Sequence, residues 1–164
     1  MPSTYEPIET KTLTGSVTDV TFTAIPSTYT DLVLVIDALC SAGANSTFLL
    51  QFNGDSGANY SRTFMYGDGS TAASGRDVNQ SNGMALVSID TTTRGNNIIS
   101  INNYSNSTTY KSALSRMNLT SNVSAAIVGL WKSTAAITSI KIFNTVPRSI
   151  IAGSTFTLYG IKAA

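Results

Sequence analysis

At 164 residues, with 42% hydrophobic but only 12% charged residues and a formal net charge of +1, the chain has the size of one domain with a self-sufficient core. Its ten basic and nine acidic residues are scattered singly, which excludes the basic stripe that a nucleic-acid backbone requires. It has no histidine and only one cysteine, Cys40, which excludes the common Ser/His and Cys/His nucleophile pairs and any internal disulfide.

Residues 1–13 open with MPSTYEPIETK. Pro2 and Pro7 rule out a helix, and the stretch reads as an extended N-terminal arm outside a single β-sandwich domain at 14–164. It lacks the basic-then-apolar pattern of a signal peptide. Tyr5 and Ile8 are its apolar side chains and are candidate contacts to a neighbouring subunit. Strand-like runs then arrive at near-regular intervals. SVTDVTFTA (16–24) alternates through Val20, Phe22 and Ala24. DLVLVIDAL (31–39) is apolar on both faces and belongs at the centre of a sheet. TFLLQFN (47–53), YSRTFMY (60–66), MALVSID (84–90) and NIISINN (97–103) follow. After them come YKSALSRM (110–117), VSAAIVGLW (123–131), ITSIKIF (137–143) and STFTLYGI (154–161). In the last, Phe156, Leu158 and Gly160 share one face, and Thr155, Thr157, Tyr159 and Ile161 the other.

About ten short runs separated by Gly/Asn/Ser/Asp turns predict an all-β fold, an antiparallel β-sandwich. A helix over residues 112–131 is the weaker reading, because Ser, Thr, Asn and Val stand where strong helix formers would be expected. SNST at 105–108 reads as the turn of a hairpin. Asn53–Asn82 reads as loop interrupted by one strand, and long loops on a β-scaffold often carry binding residues. No apolar run approaches the ~20 residues of a membrane helix, so neither a membrane nor a nucleic acid is expected as a partner.

Catalytic chemistry is sparse, and the chain is read as non-enzymatic. No phosphate-binding loop or dinucleotide fingerprint occurs, and no cofactor or metal is expected. Asp55, Asp68 and Asp77 could in principle form a carboxylate pair for glycan chemistry, but each sits in a turn-like context that suits backbone capping. Asn53, Asp55 and Asn59 offer oxygens for calcium without the closing glutamate of a helix–loop–helix site. Tyr60, Phe64 and Tyr66 fall on one face of a strand with Arg62 among them. With Asp68 and Asn59 near, they form a candidate glycan or receptor contact, led by Tyr66, Asp68 and Arg62. The simpler reading puts the same aromatics, and Trp131, in the core. Cys40 reads as a small buried thiol.

Several segments resemble small virion proteins of tailed bacteriophages, especially cyanophage-like and other marine phages. They are MPSTYEPIET, FTAIPSTYTDLVLV, YGDGSTAASGR, NNYSNSTTYKSALSR, VGLWKSTAAI and the closing GSTFTLYGIKAA. The resemblance implies a jelly-roll-like sandwich on the exterior of the particle. Its implied roles are a capsid decoration or cement protein, or a tail-fibre or baseplate module touching the host. Its implied partners are the major capsid protein or other virion proteins, and further copies of itself. Analogy with phage decoration and fibre proteins favours a trimer.

Overall fold

The computed structural model describes residues 4–41, 46–92, 94–119, 122–144, 146 and 148–162. Twelve strands run through them in two antiparallel sheets: β1 Tyr5–Thr12, β2 Asp19–Phe22, β3 Asp31–Ala38, β4 Ser46–Phe52, β5 Tyr60–Gly67, β6 Ala72–Gln80, β7 Met84–Ile89, β8 Gly95–Ile101, β9 Lys111–Leu119, β10 Val123–Trp131, β11 Ile140–Phe143 and β12 Thr155–Ile161. The larger sheet has the order β1-β12-β3-β8-β9-β10-β5-β6, and the smaller β2-β11-β4-β7. No helix among the described residues is long and apolar enough to cross a membrane.

This order has a simple logic. Strands β1, β12, β3 and β8 face β2, β11, β4 and β7, which is the eight-stranded jelly roll. Two hairpins, β5–β6 and β9–β10, are inserted into it. Both join the larger sheet beyond β8.

Side-chain alternation fixes which face closes the core. In β3 every second residue, Leu32, Leu34, Ile36 and Ala38, is fully buried. Opposite them on β12 lie Leu158 and Phe156, also fully buried. Phe48, Leu50, Phe52, Ile140 and Ile142 of the smaller sheet complete the core. The sheets approach closely at Gly129, where an added Cβ would collide with Met84 Sδ. Cys40 is buried, as expected, with its Sγ 3.5 Å from the Ile89 carbonyl oxygen.

The N-terminal arm is corrected and the strand count refined. Residues 5–12 are not an arm apart from the body. They are extended, but pair with β12 from Tyr5 opposite Ile161 to Thr12 opposite Thr155, because an unpaired strand beside β12 would leave that strand's backbone donors and acceptors unmet. Pro2 and residues 1–3 lie outside the described residues. The strand count is twelve rather than about ten, with β1 and β6 the additions. β9 and β10 pair antiparallel, as the strand reading had it, in place of the weaker helix reading, and the predicted turn at 105–108 lies between paired β8 and β9.

The outward face of the larger sheet carries little charge. One cross-strand row runs Tyr159, Val33, Ser100, Leu114, Val128, Thr63, Arg76. The next runs Thr157, Val35, Ile98, Arg116, Ala126, Met65, Ser74. Each row crosses seven strands and holds a single charged residue.

Candidate functional site, a cleft beside the inserted hairpins

The even-numbered residues of β5 leave the core in sequence. Tyr60 is fully buried, Arg62 and Phe64 are half-buried, and Tyr66 is 40% exposed at the rim. Beyond the core they form one wall of a cleft of about 180 Å³ between the sheets. Met117 of β9 and Ala125 and Ile127 of β10 extend that wall, and Thr47, Ala85 and Ser88 of the smaller sheet face it. The cleft therefore owes its larger-sheet wall to the inserted hairpins.

Arg62 is held from two sides. Its Nε donates to Asp77 Oδ2 at 2.6 Å, and Nη1 donates to the Ala85 carbonyl at 2.6 Å. The guanidinium lies 4.9 Å from the centre of the Phe64 ring, close enough for a cation–π contact. Arg62 thus ties β5 to its neighbour β6 and across the gap to β7. Phe64 and Tyr66 stack with centroids 6.4 Å apart and planes at 24°. Phe64 also lies over Gly75 of β6, where a Cβ would come within 2.6 Å of the ring.

The structure brings Arg62, Phe64 and Tyr66 together and separates Asp68 from Arg62. Six residues of extended chain span about 20 Å, so one sugar ring cannot touch both. Asp68 belongs to the β5–β6 turn. Its carboxylate accepts from Thr71 N at 2.7 Å, Ser70 N at 2.9 Å and the Ser70 hydroxyl at 2.9 Å. These donors, the Thr71 amide foremost, hold its pKa down to about 2. Tyr60 is core, as the simpler reading had it.

Asp55 and its neighbours form a second built cluster. Trp131 Nε1 donates to Asp55 Oδ2 at 2.7 Å, Asn59 Nδ2 to the same oxygen at 3.0 Å, and Gly57 N to Oδ1 at 2.8 Å. Burial works to raise the Asp55 pKa, and the Trp131, Asn59 and Gly57 donors outweigh it and hold it below the usual range. Tyr60 donates its hydroxyl to the Asp55 carbonyl at 3.0 Å, and its ring stacks on Trp131 at 6.4 Å. Asn53 Oδ1 accepts from Thr138 N and Ser139 N. The Asp55 carboxylate and the Asn53 Oδ1 considered for calcium are thus bonded to protein donors. No group of three or more His, Cys, Asp or Glu placed to hold a metal occurs among the described residues.

Lys111 was not singled out in the sequence. It is fully buried at an inward position of β9 and donates Nζ to the Thr109 carbonyl at 2.7 Å and the Thr134 carbonyl at 3.1 Å. Burial pushes its pKa down. Its parity with Ala113 and Ser115 was the available signal. The arm candidates Tyr5 and Ile8 are placed apart. Ile8 packs against the protein's own core, whereas Tyr5 is 57% exposed and meets Tyr159 edge-on at 6.5 Å.

No protein family model matches the chain, and no curated protein matches it. Among solved structures, the alginate lyase Aly36B is similar at 11% identity and a TM-score of 0.36, over 93% of this chain and 77% of that one. A protein of unknown function from Shewanella oneidensis is similar at 10% identity and a TM-score of 0.22, over 98% of this chain and 71% of that one. Both likenesses are too distant to carry a functional argument.

Proposed function

We propose that the chain is a non-enzymatic structural subunit of a tailed-phage exterior, a capsid decoration or cement protein that works as a closed homo-oligomer beside the major capsid protein. The observation that carries the assembly role is the outward face of the larger sheet. There Leu114, Val128 and Met65 are 39%, 51% and 63% exposed on adjoining strands, with one charge per cross-strand row. Clustered exposed apolar side chains on such a face suit contact with another protein. Asp55, Asp68 and Asp77 each serve a turn or an ion pair, which favours a non-catalytic role. The phage setting rests on the resemblance of the sequence segments. The test is the copy number in purified particles. A cement subunit is present in tens to hundreds of copies, a count on the order of the capsid's own symmetry, and its loss makes capsids burst at lower temperature. Absence from particles overturns the proposal.

A second reading places a glycan or host receptor in the cleft, on a tail-fibre or baseplate protein. The stacked Phe64 and Tyr66 beside Arg62 favour it, since binding sites combine aromatic walls with a few polar groups. On this reading Tyr66→Ala abolishes adsorption of the phage to its host, the protein is scarce in particles, and its loss leaves capsid stability unchanged.

A further inference from the structure

The two edges of the larger sheet are built differently. β1 carries Pro7, a register shift between Pro7 and Glu9, and the charged side chains of Glu6, Glu9 and Lys11. Proline, bulge and charge are the means by which natural sheets prevent edge-to-edge pairing. β6, at the opposite edge, begins Ala72-Ala73-Ser74-Gly75 and has none of these along that half. Ala72, Ala73 and Ser74 are exposed. Beside them lies a broad surface hollow of about 660 Å³ lined in part by Met65, Tyr66 and Ala126.

We propose that β6 pairs antiparallel with the β6 of a second copy of this chain, about a two-fold axis near Gly75, joining two eight-stranded sheets into one. The inference rests on the homo-oligomer of the reading above and names its interface, a two-fold contact in place of the trimer that the resemblance implied. An identical edge run in the opposite direction supplies the complementary backbone donors and acceptors, as any two-fold contact between antiparallel strands does. Charge selects the register. An axis at Arg76 or Asp77 sets like charges opposite each other. An axis at Gly75 sets Ser74 opposite Arg76, Ala73 opposite Asp77 and Ala72 opposite Val78, with no like pair. Small residues let the strands approach, and a net charge of +1 leaves little repulsion between copies. Phe64, covering Gly75 from within its own sheet, holds the centre of the edge in shape. The joined outer faces form one continuous surface, with Met65 of each copy near the axis.

The experiment is sedimentation of the full chain across a concentration series, with amide exchange read over residues 72–78. The expected result is a dimer whose amides in that stretch exchange more slowly as concentration rises. Ser74→Lys sets a lysine opposite Arg76 of the other copy, twice by symmetry. It should weaken the dimer by roughly tenfold, since like charges directly opposite destabilise paired strands, and leave unchanged the melting curve taken at concentrations where both proteins are monomers. Thr10→Lys, at the protected edge, should leave association intact. A monomer at all concentrations overturns the proposal, as does a dimer indifferent to Ser74→Lys. A monomer still abundant in particles would overturn this interface alone. A dimer absent from particles would overturn only the phage setting.

Discussion

At the scale of the residue, Asp55 and Asp68 each gather the donors of a turn, and each has a measurable signature. Asp55 collects donors from Trp131, Asn59 and Gly57. Asp55→Ala leaves the indole N–H and a backbone amide without their acceptor, at a cost of roughly 2–3 kcal/mol. Urea unfolding should show this as a lower midpoint, with Asp55→Asn falling between it and the parent protein. Asp68 is half-buried in a surface turn and bonds only within it, so its effect is local. Its lowered pKa means that the turn is stabilised above the usual carboxylate range, and that this support is lost as pH falls through about 2. The Ser70 and Thr71 amide resonances should therefore titrate near pH 2 rather than near the ordinary aspartate value of 3.8. A midpoint at 3.8 would contradict the capped turn. Among the described residues, five of the six non-glycine residues with positive φ are asparagines, at 53, 79, 82, 103 and 122. That matches the tolerance of asparagine for left-handed turns.

At the scale of the element, the edge strands decide what was legible. The runs that became β3 and β12 could be read because both are interior strands, where alternation of large apolar side chains is the condition of burial. β6 could not, since Ala, Ser, Gly, Asp and Asn are depleted in strands. It forms through backbone bonds to β5, the Arg62–Asp77 ion pair and the Phe64 ring over Gly75. β1 was hidden by Pro7, which an edge strand tolerates, and by a partner at the far end of the sequence. In the cleft, period two gave the shared face of Arg62, Phe64 and Tyr66. Proximity in sequence wrongly added Asp68, which extended geometry carries away. The status of β1 makes a test. Ile8 packs on the core and Lys11 Nζ lies 5.6 Å from the centre of the Phe22 ring. Deleting residues 2–12 should remove about 3 kcal/mol of stability, roughly 10 °C in melting temperature, and expose β12 to aggregation. An unchanged melting curve would restore the independent arm.

At the scale of the whole molecule, a jelly roll extended by two hairpins divides its tasks. The eight jelly-roll strands make most of the core, to which the inserted strands add Tyr60, Ala113, Ile127 and Trp131, while the inserted strands supply the cleft wall, most of the exposed apolar face and the open edge. The same topology places β12 between β1 and β3, so Leu34 cannot meet Leu158, nor Tyr5 meet Ile161, until almost all of the described chain has been synthesised. Synthesis proceeds at about 5–20 residues per second, and distant strand pairing is slow to close. The larger sheet thus closes only once β12 has left the ribosome, and until then the earlier strands wait as protease-sensitive, chaperone-accessible chain. Ribosome-bound chains ending at residue 150 should be cut readily. Chains carrying residues 155–161 clear of the ribosome on a linker should become resistant. Equal resistance in both would mean that the smaller sheet and the hairpins can hold the fold before its central seam is sewn.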